Sequence, residues 1–219
     1  MNNFFKGISL LGLSWKSWYY FLWYNFFSSH VVRNDRMKFL WPKRHSVIRF
    51  EKGARLILNA NYIIGTQQVK GAHQEGRLLV QEHGTFIIGT EGFEQFAGMF
   101  IRVMPHGELQ IDGLVANEGC QITAGKRIYI GSGCLFARDV TLRSDDVHHI
   151  DIKGYEPSKP ISIGNHVWLG QGATVMKGVS IGDGAIIAAK ALVLKDVPAM
   201  SLAGGIPAKI IKENVKWKA

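Results

Sequence analysis

From residue 161 onward the apolar and polar positions fall into blocks of six: I-S-I-G-N-H, V-W-L-G-Q-G, A-T-V-M-K-G, V-S-I-G-D-G, A-I-I-A-A-K and A-L-V-L-K-D. The third place of each block is Ile163, Leu169, Val175, Ile181, Ile187 or Val193. The first place is Ile161, Val167, Ala173, Val179, Ala185 or Ala191 and never carries charge. In a short extended segment the first and third side chains share one face, and turn residues such as Gly164, Gly170 and Gly182 then bend the chain. An amphipathic helix would repeat near 3.6 residues, which a strict period of six does not match. Repeated sides of this kind wind a chain into a solenoid whose rungs share a continuous core. The pattern also runs upstream over 122–145. A degraded version appears at 48–65, where Ile48, Ala54 and Ala60 pair with Phe50, Leu56 and Tyr62. The spacing therefore predicts stacked short parallel strands over 122–142 and 161–197.

The period breaks once, sharply. Leu142 and Ile163 are 21 positions apart, so residues 143–160 must leave the solenoid as an excursion. That segment, R-S-D-D-V-H-H-I-D-I-K-G-Y-E-P-S-K-P, carries His148, His149 and four acidic residues. Polar insertions in repeat proteins are where function concentrates. Histidine titrates near neutrality and takes a fixed tautomer beside a carboxylate, so it suits removal of a hydroxyl proton.

Composition adds a second region. Residues 1–52 hold nine Lys and Arg against Asp35 and Glu51, which is +7 of the chain's +9, and the first 50 residues hold 14 of its 24 aromatic side chains. Cations beside Trp and Tyr form the pattern of a segment that lies on an anionic membrane surface. A pair of short helices capping the apolar end of the solenoid accounts for the same residues, and the two readings are compatible. The chain thus divides into a basic aromatic segment at 1–45, a solenoid at 46–212 with its excursion at 143–160, and a tail at 213–219. Basic charge joined to membrane-type aromatics, with no reader motif, argues against nucleic acid. Cys120 and Cys134 form no C-x-x-C pair and read as small buried residues of a reducing compartment.

The stretch 161–212 resembles the hexapeptide-repeat acyltransferases, close to galactoside, maltose and polysaccharide O-acetyltransferases. The resemblance rests on I-G-N-H-V-W-L-G (163–170), V-S-I-G-D-G-A-I-I-A-A-K-A-L-V-L-K-D-V-P (179–198) and A-G-G-I-P-A-K-I-I-K (203–212). It implies an all-β, left-handed parallel β-helix with a short N-terminal helical segment and a short C-terminal tail. The hand comes from the resemblance alone, since the general rule for parallel crossovers gives the opposite one. It also implies an acetyl-CoA-dependent transfer to a sugar hydroxyl. D-V-H-H-I (146–150) is similar to a loop in which the first histidine is the base. That residue is His148, with Asp146 or Asp145 as its orienting partner and His149 and His166 toward the acceptor. For acetyl-CoA the match gives Trp168 as a wall, Gly170 and Gln171 near the thioester with the Gln171 N–H facing the oxyanion, small Ala188 and Ala189 beside pantetheine, Lys195 in the matching K-D-V-P turn, and Lys209 and Lys212 toward phosphate. Lys190 and Leu194 depart from the small and hydroxyl residues usual there. A homotrimer, a saccharide acceptor and a cytoplasmic location at the inner membrane face follow from the same reading. No metal is expected, because His148, His149 and His166 lack further ligands at repeat spacing. The alternatives are an N-acyltransferase for an amino sugar nucleotide, or a non-catalytic or metal-dependent β-helix.

Overall fold

Alternation of buried and exposed side chains runs through nearly every strand. In Ile161–Ile163 the outer two are buried and Ser162 is exposed, and all twelve first- and third-place residues of the six regular blocks are buried. A computed structural model describes residues 14–67 and 73–218; residues 1–13 of the basic aromatic segment and Ala219 of the tail lie outside it.

The strands form three sheets of seven, nine and seven members, and each coil of the chain contributes one strand to each. The first face carries Val31–Arg33, Arg55–Leu58, Thr85–Ile88, Glu108–Ile111, Arg127–Ile130, Ile161–Ile163 and Ser180–Ile181. The second begins at Leu40–Pro42 and reaches Trp168–Leu169 and Ile186–Ile187, and the third runs from Ser46–Phe50 to Leu192–Val193. Neighbours along each face are parallel, with Leu135 on Trp168 and Trp168 on Ile186. The result is a triangular parallel β-helix, the solenoid of stacked short strands expected from the six-residue period. Its first coil already includes Val31–Arg33 and Leu40–Pro42, within the segment set apart on composition.

Inward side chains fill the prism. In the N-terminal coils they are large: Tyr62 stacks on Phe93 at 5.6 Å and meets Phe86 edge-on at 5.5 Å. A buried polar hub interrupts them. Gln95 takes a hydrogen bond from the Tyr62 hydroxyl and donates to the carbonyls of Arg77 (3.0 Å) and Met99 (3.1 Å). In the C-terminal coils the filling is Ile, Val, Leu and Ala. Cys120 and Cys134 are free and buried, and burial pushes both thiols up to about 11.

The N-terminal end is closed by the helix Trp15–Leu22, which starts at Ser14 and runs into a wide turn at Trp23–Phe27. Its buried side sets Phe21 on Trp41 at 4.6 Å. Asn25 donates to the carbonyls of Phe21 and Leu40, both at 2.8 Å, and accepts the Leu40 N–H, tying helix to coil. The opposite side presents Trp15, Tyr19, Trp23 and Phe27 to solvent at intervals of four. No described helix is long and apolar enough to cross a membrane.

At the other end Leu202–Gly205 joins the second face in parallel, and Ala208–Lys212 turns back antiparallel against it. The tail then returns along the corner between the first two faces. The Val215 N–H donates to the Met200 carbonyl at 2.9 Å, and Trp217 stacks on His166 at 4.0 Å.

Candidate active site

The excursion springs from the corner between the third and first faces. Strand Thr141–Arg143 lies on Thr174–Met176, with Arg143 beside Met176, and the chain returns to the prism at Ile161. Its root is pinned. Asp145 and Ser158 form an antiparallel bridge, the Lys159 N–H donates to the Ser144 carbonyl, and the Ser144 hydroxyl accepts from the N–H groups of Gly125 and Lys126.

Above the root, Asp146 is the centre of a tight cluster. Its carboxylate pairs with the Lys177 ammonium and accepts from the Tyr155 hydroxyl at 2.5 Å. The hydrogen bonds from Lys177 and then Tyr155 hold this carboxyl below its usual range, and the bond to Asp146 raises the Tyr155 phenol. Lys177 also lies 4.2 Å over the Tyr155 ring and donates to the Glu156 carbonyl at 2.6 Å.

Val147 follows with φ of 63°. The His148 N–H donates back to the Asp146 carbonyl at 2.6 Å, which closes a three-residue turn of the rare positive-φ kind. A β-branched residue in the left-handed region is strained, at a cost of about 1–3 kcal/mol. The turn lifts His148 into solvent, and among the described residues its imidazole has no hydrogen-bond or ring partner. The Tyr155 hydroxyl lies 3.3 Å from the His148 carbonyl, and its ring meets that of His149 edge-on at 5.5 Å.

This arrangement differs from the sequence expectation in one respect. Neither aspartate orients the His148 ring. Asp146 acts on the backbone, because Lys177 and Tyr155 occupy its carboxylate. Asp145 is buried over Gly125 and faces the Arg143 guanidinium at 3.3 Å. A lysine 31 positions away in sequence outcompetes the neighbouring imidazole for the Asp146 charge.

The residues expected to hold acetyl-CoA gather mostly on a different edge, between the second and third faces. A β-carbon on Gly170 would lie 2.6 Å from the Ala189 nitrogen and 2.8 Å from the Ile187 oxygen, so only glycine fits there. Next to it Gln171 is exposed. Its carbonyl accepts the Lys190 N–H at 2.8 Å, while its own N–H has no partner among the described residues. Ala188 and Ala189 occupy the same corner one coil on, and Lys209 and Lys212 are exposed on the returning strand opposite Gly204 and Leu202. Lys195, also exposed, lies instead at the corner where the third face ends.

Trp168 points outward from the second face, 38% exposed, with Trp217 at 5.9 Å. His166 sits at the corner between first and second faces with φ of 53°. Its Nε2 is 3.1 Å from the Trp217 carbonyl, and the Trp217 indole N–H donates back to the His166 carbonyl at 3.0 Å. His166 is therefore held by the tail, away from the histidine-bearing excursion. Among the described residues, no hydrogen bond, ion pair or ring contact joins residues 144–160 to Gly170, Gln171, Ala188 or Ala189.

Sequence reasoning passed over Lys177, Tyr155 and Trp217. Lys177 emerges only once the coils are stacked, when Leu142 on Val175 puts it beside the point where the excursion departs. Trp217, in a short charged tail, gave no signal. Among the described residues no group of three His, Cys, Asp or Glu side chains could hold a metal ion.

The fold is that of a left-handed parallel β-helix with one histidine-bearing excursion, and residues 160–195 are similar to the bacterial transferase hexapeptide family, six repeats. Two curated relatives carry the likeness further. A polysialic acid O-acetyltransferase of Escherichia coli O1:K1 is 39% identical over 54% of this chain and 44% of its own length. The galactoside O-acetyltransferase of Escherichia coli K12 is 39% identical over 45% of this chain and 50% of its own. The chain spans about half the length of these relatives. A crystal structure of a polysialic acid O-acetyltransferase shares the fold over 86% of this chain and 91% of its own, at 23% identity and a TM-score of 0.58.

Proposed function

We propose that the protein is an acetyl-CoA-dependent O-acetyltransferase that modifies a hydroxyl of a cell-surface polysaccharide or its precursor, with His148 as general base. The observation that carries this reading is the exposed, uncommitted His148 imidazole, presented on a strained turn. In the reaction His148 takes the proton of the acceptor hydroxyl as its oxygen attacks the thioester carbon. The free N–H of Gln171 donates to the oxygen that becomes negative, a preorganised dipole of the oxyanion-hole kind. Collapse expels the coenzyme A thiolate, which recovers the proton from the imidazolium. Trp168 walls the donor, Gly170, Ala188 and Ala189 leave room for pantetheine, Lys209 and Lys212 meet its phosphates, and Lys195 adds positive charge at the neighbouring corner.

The base and most of the donor residues lie on different edges of one prism, which supports a site completed between neighbours in a homotrimer. The exposed Trp15, Tyr19, Trp23 and Phe27, together with the basic charge of residues 1–52, support work at the inner face of the cytoplasmic membrane.

Free-thiol release from acetyl-CoA is the assay, with oligosialic acid, maltose, a galactoside and an amino sugar nucleotide as acceptors. His148→Ala is expected to lower turnover about 10²- to 10⁴-fold with acetyl-CoA affinity little changed, and His149→Ala to do less. A larger loss for His149→Ala would move the base by one residue, and a preference for the amino sugar would make the enzyme an N-acyltransferase.

A further inference from the structure

We infer that Lys177 is a positioning residue: through Asp146 and Tyr155 it holds the strained turn at Val147 that presents His148. The inference rests on the reading of His148 as the base and adds a group that stands 29 positions away from it in sequence.

The backbone from Asp146 to His148 closes a three-residue turn around Val147 at φ 63°. An isolated loop would relax this turn, because valine disfavours positive φ and the turn's single backbone hydrogen bond is short in span. Such outliers persist only where their surroundings over-determine them. Here the surroundings are explicit. Lys177 stands on the rigid coil beneath, directly after strand Thr174–Met176, and pairs with the Asp146 carboxylate on one side of the turn. It also lies under the Tyr155 ring. That ring sends its hydroxyl to the same carboxylate and reaches the His148 carbonyl on the other side of the turn. A third bond, from Lys177 to the Glu156 carbonyl, fixes the segment from which Tyr155 projects. One end of the strained turn is therefore fastened to the Lys177 ammonium directly and the other through the Tyr155 ring packed on it, and none of these contacts uses the imidazole. The base stays free for chemistry while its backbone is fixed.

Lys177 touches neither reacting atoms nor substrate in this account, so its effect must appear through His148. Three variants separate this role from a general contribution to folding. Lys177→Met keeps the side-chain length and removes the charge. It is expected to lower kcat at least tenfold, with the KM for acetyl-CoA within about twofold of the parent and the melting temperature nearly unchanged. Val147→Gly adopts positive φ without strain, so combining it with Lys177→Met should restore a substantial part of the lost turnover. The same glycine added to His148→Ala should restore none. The second readout is amide hydrogen exchange at His148, which should quicken in Lys177→Met and slow again in the double variant. Unchanged exchange at His148, or full activity of Lys177→Met beside an inactive His148→Ala, overturns the clamp. Faster exchange in Lys177→Met together with a fully active His148→Ala upholds the clamp and overturns the assignment of the base.

Discussion

On the second face, Trp168 and Ile186 are stacked neighbours, and the chain takes 18 residues to travel from one to the other. Tyr62 and Phe93 are stacked neighbours on that same face, and the journey takes 31. The strands at both places pair in parallel and turn their alternate side chains inward, but Tyr62–Thr66, Gly76–Val80 and Thr85–Ile88 are longer than Trp168–Leu169, Thr174–Met176 and Ser180–Ile181, so the difference lies in both strands and corners. Three six-residue sides close one coil in the C-terminal region. Nearer the N-terminus the corners hold extra residues, while the wider filling of Tyr62, Phe86 and Phe93 occupies the inside. A β-helix tolerates long corners, because added loop length raises closure entropy only slowly. It tolerates far less change inside, where interiors are close-packed.

The sharpest way to break this comparison is to empty one region and trim the other. Phe86→Ala should cost about 3–5 kcal/mol, and Ile163→Val about 0.5–1.5 kcal/mol, both read from denaturant unfolding. Equal losses at the two sites would mean that the aromatic filling is no more than decoration on the same core. The polar hub sharpens the contrast. Tyr62→Phe leaves the Gln95 side-chain oxygen buried without its donor, a loss of about 1–3 kcal/mol. No site in the regular coils from 161 to 193 has a buried polar group to lose in this way.

The smallest effect concerns the excursion. Hydrogen bonds from Lys177 and Tyr155 depress the Asp146 pKa, so the stability they add is present above the ordinary aspartate value and is lost as pH falls through the lowered one. The loop should therefore resist cleavage at pH 5 and be cut by pepsin within 147–156 only below about pH 4. Cleavage that begins at pH 6 would assign the fastening to a different group.

How much of this was legible follows from the corners. Where the period is strict, inward residues could be named one by one, and every one of them is buried. Between 66 and 121 the corners vary in length, so the phase drifts and the coils there went unread. Gln95 is an inward polar residue that the aliphatic pattern does not anticipate, and its hydrogen bonds make it part of the core. His148 could be singled out because the excursion breaks a clear rhythm. Its supporting lysine could not, because Lys177 reads as an ordinary outward residue of the block A-T-V-M-K-G until the coils are stacked.

The antiparallel return of Ala208–Lys212 against Leu202–Gly205 has a consequence for anyone who would lengthen this protein. A parallel ladder invites another strand at its open edge, and this one is already occupied by a strand running the wrong way for the next coil to follow. With the aromatic helix packed at the opposite end, new material has to be spliced into the middle. The natural unit for that is an 18-residue duplication such as 168–185, which should move the two ends apart by about 4.8 Å while leaving each of them intact.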